Sequence, residues 1–223
     1  MDRKDMARRT QAMELRIRRT MESLEKNRMH AYYAETSADA VRVVESLLQE
    51  GETITCGGSV TLDATGVRAL MRSGKYNFLD REAAQTEEER QQIYRAAFSA
   101  DAYLTSSNAI TEHGELYNVD GTGNSVAAML FGPKKVIVVA GYNKIVRDLD
   151  AAAAYVKGIT TPANALRLNI DTPCTHAACP GIDGGMCDGC RTDSRICGLF
   201  TVIARQRIPD RMHVVLIGEE VGY

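Results

Sequence analysis

Apolar positions along this chain keep switching between helical and strand-like spacing, and the switches mark out its elements. Across residues 1–28, Met6, Met13, Leu15, Ile17, Met21 and Leu24 stand among Arg, Lys and Glu at intervals that predict a long amphipathic helix with a solvated basic face. Residues 29–35 read as a first strand. Ser37 then caps a helix whose Ala40, Val41, Val44, Leu47 and Leu48 recur at helical spacing until Gly51 stops it. Residues 52–58 form a short strand running into Gly-Gly, and residues 59–71 a helix with Val60, Leu62, Val67, Leu70 and Met71 available for packing. A short strand at 76–79 precedes a helix at 86–98 that opens with three glutamates, which suit the positive end of the helix dipole. Residues 100–105 are a further strand.

The most strand-like run comes later. Lys135, Val136, Ile137, Val138, Val139 and Ala140 are unbroken and bounded by Gly132-Pro133 and Gly141, as in a strand buried on both faces of a parallel sheet. Before it, residues 110–120 alternate polar and apolar around Gly114, the pattern of a hairpin. After it come an Ala-rich helix at 148–157 that halts at Gly158, and a turn or short helix opened by Thr161-Pro162. A cysteine-rich, metal-binding insertion is expected at 172–198, then a strand pair at 200–206 and 213–218 separated by Ile208-Pro209-Asp210. Strands alternating with helices predict βαβ units on a mostly parallel sheet, hence an α/β fold. No repeat or low-complexity linker divides the chain, so one α/β domain is expected at 29–223 behind the N-terminal helix at 1–28.

Composition narrows the function classes. The 223 residues carry 44% hydrophobic and 25% charged side chains, ordinary globular values, and a net charge of -2. That balance gives no support to nucleic acid or a membrane surface as a partner. No apolar run approaches the roughly 20 residues that span a bilayer. The first thirty residues lack a hydrophobic signal core, so a cytoplasmic location is expected.

Two segments carry chemistry. Gly57, Gly58, Ser59 and Thr61 lie where a strand gives way to a helix, a turn whose outward N–H groups favour a phosphate or carboxylate. The spacing is neither a GxGxxG fingerprint nor a Walker loop, so no nucleotide cofactor motif is present. Glu112, His113, Glu115, Asp120 and Asn124 fall close together around the expected hairpin, a concentration of groups that bind or move protons. Further on, Cys187 and Cys190 form a two-residue-gapped pair, with Cys174 upstream and Cys197 downstream. In a cytoplasmic chain these four thiols predict a metal site, with Cys179 as a substitute for Cys174 and either zinc or an iron–sulfur cluster as occupant. His176 stands nearby as a further donor, and a redox disulfide between Cys187 and Cys190 is the remaining reading.

Read together, the strings GGSVTL (57–62), ITEHGELYNVDGTGNSVAAMLFGPKKVIVVAGYNKIV (110–146), PANALRL (162–168), CDGCRTDSRIC (187–197) and VVLIGEEVGY (214–223) resemble the LUD-domain, lactate-utilisation protein family. The resemblance implies a three-layer αβα sandwich similar to the CoA-transferase and sugar-phosphate isomerase superfamily. It also implies a link to L-lactate oxidation beside iron–sulfur partner proteins. Carried onto this chain by analogy, Gly57, Gly58, Ser59 and Thr61 would seat an anionic metabolite. Glu112 would be the first choice of general base and Asp120 the second, with His113 able to take the acid–base role instead. Asn124 would orient the substrate and Lys144 would pair with its carboxylate or phosphate. The family pattern of a Cys, a later CxxC and a final Arg-Ile-Cys maps onto Cys174, Cys187, Cys190 and Cys197, although this chain carries a longer insertion between Cys174 and Cys187. With no nicotinamide or flavin motif, the chain by itself is not expected to oxidise lactate. An electron-transfer or assembly subunit carrying an iron–sulfur cluster is the alternative, and a homodimer is open as its own assembly.

Overall fold

A computed structural model describes residues 2–223. In chain order its elements are α1 (Arg3–Lys26), β1 (His30–Ala34), α2 (Ser37–Ser46), β2 (Thr53–Cys56), α3 (Val60–Ala64), α4 (Val67–Met71), β3 (Asn77–Leu79), α5 (Glu87–Ala96), β4 (Ala102–Thr105), β5 (Ala109–Thr111), β6 (Leu116–Asp120) and α6 (Asn124–Leu130). There follow β7 (Lys135–Gly141), β8 (Ile145–Val146), α7 (Leu149–Tyr155), α8 (Thr161–Arg167), β9 (Leu199–Ile203) and β10 (Met212–Ile217).

Six strands pair in the order β1-β10-β7-β4-β2-β3, and every pairing is parallel. The unbroken apolar run lies at the centre of this sheet, and Val136 to Ala140 are fully buried between two cores. On one face Ala40, Val44, Leu62, Val67 and Met71 of α2, α3 and α4 pack on Ile54, Ile137, Val139, Val215 and Ile217. On the other, Ile17 and Leu24 of α1 and Ala128 and Met129 of α6 meet Tyr103, Val136, Val138, Val214 and Leu216. The result is a three-layer α/β sandwich. Of the stripe expected on the first helix, Ile17 and Leu24 are buried, Met13 and Met21 pack at its margin, Thr20 lies buried on the same face, and Leu15 is instead exposed to solvent. Met1 and the side chain of Met6 lie outside the described residues.

A second, four-stranded sheet in the order β8-β5-β6-β9 closes over part of that layer. It contains the expected hairpin, with β5 and β6 antiparallel and Gly114 at φ 78° in its turn. The close approach there is to α1: a Cβ on Gly114 would stand 2.6 Å from the backbone of Ser23 and Leu24.

The cap expected at Ser37 is Thr36, whose side chain accepts from Asp39 N, and three further expectations change. The helix expected at 59–71 is two short ones, because Gly66 adopts φ 83° between α3 and α4 and breaks the ladder. The strands expected as a pair at 200–206 and 213–218 do not pair with each other. β9 joins the small sheet against β6, while β10 lies between β1 and β7 in the large one. The apolar content of β10, all six residues buried, selects the two-sided interior, and β9, half exposed, takes an edge. Finally, the helix expected to halt at Gly158 passes through it: Val156–Thr160 form a π-helical turn joining α7 to α8.

A buried guanidinium just before β10 ties the large sheet to α6. Arg211 donates to the carbonyls of Ala128, Met129 and Pro133 at 3.2, 2.8 and 3.0 Å, satisfying the end of α6. No helix among the described residues is long and apolar enough to cross a membrane.

Candidate functional site

β2, β4 and β7 are neighbours in the large sheet, and their carboxyl ends open into loops that enclose a cleft of about 330 Å³. Parallel sheets commonly bind ligands at this end, where helices and loops diverge. From β2 come Gly58, Ser59 and Thr61; from β4 come Ser106, Ser107 and Asn108; from just beyond β7 comes Lys144. Asn118 and Asp120 of β6, Asn124 and Ser125 of α6, Thr160, Asn164 and Arg167 of the π turn and α8, and Arg81 complete the polar lining.

Lys144 ends a 3₁₀ turn, Tyr142–Lys144, that follows β7 directly. The residue is 2% exposed, and its Nζ donates to Thr61 Oγ1 at 3.0 Å and Ser106 Oγ at 2.9 Å. Both partners are neutral hydroxyls. Burial without a carboxylate partner brings its amine down to about 7 from 10.5. Asn143, one residue earlier, clamps the last segment: its Nδ2 donates to Gly222 O at 3.1 Å and its Oδ1 accepts from Val221 N at 3.1 Å. That clamp brings Tyr223 into the cleft wall.

Buried polar atoms without partners are few in native proteins and call for a reason. Among the described residues four such side-chain atoms occur, and three of them belong to cleft-lining residues: Asn118 Nδ2, Thr160 Oγ1 and Tyr223 OH. The fourth, Tyr117 OH, lies behind the small sheet against α7, where burial pushes the phenol up to about 12.

The residues expected to act here divide into two groups. Gly58, Ser59, Thr61, Asp120, Asn124 and Lys144 line the cleft together. Gly57 sits beneath it, where a Cβ would come 2.6 Å from Ser125 Oγ and Tyr103 OH, so the glycine permits the close packing of β2 on α6. Ser59 Oγ accepts from Leu62 N at 3.3 Å and is spent as the cap of α3, a helix too short to present a strong dipole. Asp120 is spent likewise: its oxygens accept from the N–H groups of Thr122, Ser125 and Val126 at 3.2, 3.0 and 3.2 Å. Asn124 is held by Thr122 Oγ1 at 2.7 Å.

Glu112 and His113 do not reach the cleft. The turn of the hairpin points toward α1, where Arg16 Nε donates to Glu112 Oε1 at 2.7 Å and Arg19 stands 3.8 Å from Oε2. His113 is exposed in the same turn, and its carbonyl accepts from Asn27 Nδ2 at 2.8 Å. The expected first-choice base is thus a strut between the hairpin and the N-terminal helix. Sequence reasoning missed Ser106, Asn118, Thr160, Arg81 and Tyr223. A signal existed only for the first, in the Ser-Ser-Asn run directly after a parallel strand.

A family model described as the LUD domain matches residues 17–217. The chain belongs to the LUD-domain family. Among solved structures it is similar to a DUF162 family protein from Deinococcus radiodurans, at 13% identity and a TM-score of 0.46 over 93% of this chain and 98% of that one. A weaker likeness is to eIF2B delta from Chaetomium thermophilum, at 23% identity and a TM-score of 0.32 over 50% of this chain and 49% of that one. No curated protein matches it.

The cysteine-rich segment of this LUD domain runs alongside the cleft and supplies Ile196 to its wall, with Gly198 N donating to Asp120 O at 3.2 Å. Arg195 organises it, donating to the carbonyls of Cys187 and Cys190 at 3.0 Å each and of Cys197 at 3.2 Å. Lys157 Nζ, buried, donates to the carbonyls of Gly181 at 2.8 Å and Gly185 at 2.5 Å. Among the thiols, Cys190 and Cys179 lie close enough to Cys197 to act on its charge. Cys174 Sγ pairs with Thr172 Oγ1 at 3.1 Å, Cys190 Sγ with Thr192 Oγ1 at 3.3 Å, and Cys187 is exposed. Burial pushes the Cys197 thiol up. His176 bonds Asp171 at 2.7 Å instead of turning toward a thiol. Among the described residues no three His, Cys, Asp or Glu side chains converge as a metal site. Cys174, Cys187, Cys190 and Cys197 are the side chains that would hold the zinc or iron–sulfur centre that the spacing predicts.

Proposed function

We propose that this LUD domain binds a small oxygen-rich anion of organic-acid or sugar-phosphate metabolism in the cleft at the ends of β2, β4 and β7. One observation carries the proposal: three unpartnered buried polar atoms and a buried lysine with only neutral partners belong to the lining of the same cleft. Each unpartnered atom costs about 1–3 kcal/mol. Holding the charged form of Lys144 there costs roughly 5 kcal/mol relative to water. An anion with several oxygens neutralises the ammonium, and it satisfies the three donors where their side chains turn toward it. Arg81 and Arg167 add positive charge at the rim.

Lactate, pyruvate and a phosphorylated sugar are the ligands to test. Binding stabilises the fold by mass action, so each true ligand raises the melting temperature in proportion to the logarithm of its concentration. Expected is a shift of several degrees for at least one of the three at pH 6.5, lost in Lys144→Met. No shift with any of a broad carboxylate and phosphate panel sinks the proposal. The second reading, a carrier of an iron–sulfur cluster for partner proteins, has the CxxC spacing behind it, although among the described residues no three ligand side chains stand together.

A further inference from the structure

The cleft as an anion site leaves unexplained why its lysine is held as it is. A lysine that merely attracts an anion works best protonated, near the surface, with its charge intact. Lys144 is instead buried between two hydroxyls, and no carboxylate takes part in its hydrogen bonds. A neutral amine has two N–H donors and one lone pair. Thr61 Oγ1 and Ser106 Oγ are two acceptors, so in that form the lone pair is left free for an electrophile in the cleft.

We infer that Lys144 is a nucleophile that forms an imine with the carbonyl carbon of a small anionic carbonyl compound, a 2-oxo acid or an aldose or ketose phosphate. The inference rests on the cleft being an anion site and adds one covalent bond to it. The amine lone pair attacks the carbonyl carbon, and the carbonyl π pair moves to oxygen, which takes up a proton to give a carbinolamine. Nitrogen gives up a proton through the hydrogen-bonded hydroxyls of Ser106 and Thr61. The carbinolamine oxygen then leaves as water after a second protonation, and the nitrogen pair forms the C=N bond. The net change is amine plus carbonyl plus one proton to iminium plus water, with no oxidant or reductant. Asn118, Thr160 and Tyr223, in the same lining, carry unpartnered donors that a turn of the side chain would offer to the carbonyl and anionic oxygens. Arg81 and Arg167 are the cations and Asp120 the carboxylate that share the lining with Lys144, and Asp120 is already occupied as a helix cap. An amine that ionises near 7 is neutral in a large fraction at physiological pH, which is what the attack requires.

The test is reductive trapping on the full chain. The protein is incubated with pyruvate in one arm and glyceraldehyde 3-phosphate in the other, each with cyanoborohydride, and the adducts are located by peptide mapping. Lys144 is expected to acquire the adduct about tenfold or more faster than any other lysine, the buried Lys157 included, in at least one arm. The arm that reacts names the source of the carbonyl. Adducts scattered over surface lysines, or none at Lys144, overturn the inference. Lactate and glycerol 3-phosphate, which lack the carbonyl, are run in parallel by thermal shift. A shift without an adduct sinks the nucleophile and leaves the anion site standing; neither shift nor adduct sinks both. Lys144→Arg, which keeps the charge but not the nucleophile, is expected to abolish the adduct.

Discussion

Two regions of this molecule each enclose a buried lysine, and they treat it in opposite ways. Beneath the cysteine-rich segment, Lys157 meets two backbone carbonyls, and the neighbouring Arg195 meets three. These cations take up the carbonyls of a segment with little regular structure, so the network is closed and holds the chain in shape. At the cleft floor Lys144 meets only hydroxyls, and three unpartnered polar atoms stand in the same lining. A region whose polar groups are all taken is architecture; one whose groups are left open is prepared for something that arrives later.

The sharpest way to break this comparison is to remove each cation. Lys144→Met is expected to weaken the best anion about 10–100-fold, the loss of a charge-assisted bond, while raising the melting temperature of the ligand-free protein. Lys157→Met is expected to do the reverse, lowering stability by roughly 2–4 kcal/mol through orphaned carbonyls and leaving anion affinity nearly unchanged. Equal signs for the two variants in thermal melts would erase the distinction.

Next in size is the pH dependence. The amine of Lys144 ionises near 7 in the fold and near 10.5 in the unfolded chain, so between those values the unfolded chain holds the extra proton. Its contribution to ligand-free stability therefore rises with pH from about 7 to about 10.5, and below 7 the burial cost is felt in full. The stabilising advantage of Lys144→Met over the natural chain is expected to be greatest near pH 6 and to shrink as pH rises through that window. Anion binding by non-carbonyl ligands is expected to run the other way, tightening as pH falls. Denaturation midpoints of the two proteins across pH read the first trend and titration calorimetry the second.

A finer contrast uses the hydroxyls. Thr160→Val and Tyr117→Phe each remove an unpartnered buried oxygen, and each is expected to stabilise the ligand-free protein by about 1 kcal/mol. Only Thr160→Val is expected to weaken the anion, by about fivefold, the worth of one hydrogen bond. Smallest of all is Cys187→Ser: exposed and away from the cleft lining, it is expected to change stability by less than about 0.5 kcal/mol and the ligand response not at all. A collapse of the fold in Cys187→Ser, or tight metal retained by the natural chain through anaerobic purification and lost in the variant, would show that the thiols rearrange around an ion.

What could be read from the residues follows from what is local. The run at 135–140 announced a strand buried on both faces because β-branched side chains without polar alternation have few other uses, and it became the middle of the large sheet. The turn after Cys56, with Thr61, was legible from its glycines and hydroxyls at a strand end, whereas Lys144 came into view only through the family resemblance. The partnership of β10 was not, since nothing in its own residues says that it inserts between β1 and β7. Glu112 misled because its neighbourhood in the chain is rich in titratable groups, whereas its neighbourhood in space is two arginines of α1 about a hundred positions earlier. Asn118, Thr160 and Tyr223 were invisible in principle: lacking a partner is a property of coordinates, not of a residue type.

The π-helical turn at Val156–Thr160 has a consequence for how such a cleft can change. An α-helix advances about 100° per residue, so deleting a single position there would swing all that follows around the axis by that angle. Asn164 and Arg167 would then face away from the ligand, and Lys157 could no longer serve the loop beside it while Thr160 serves the cleft. One extra residue in a helix is in this sense a dial on specificity, able to exchange an entire wall of donors without touching the strands beneath.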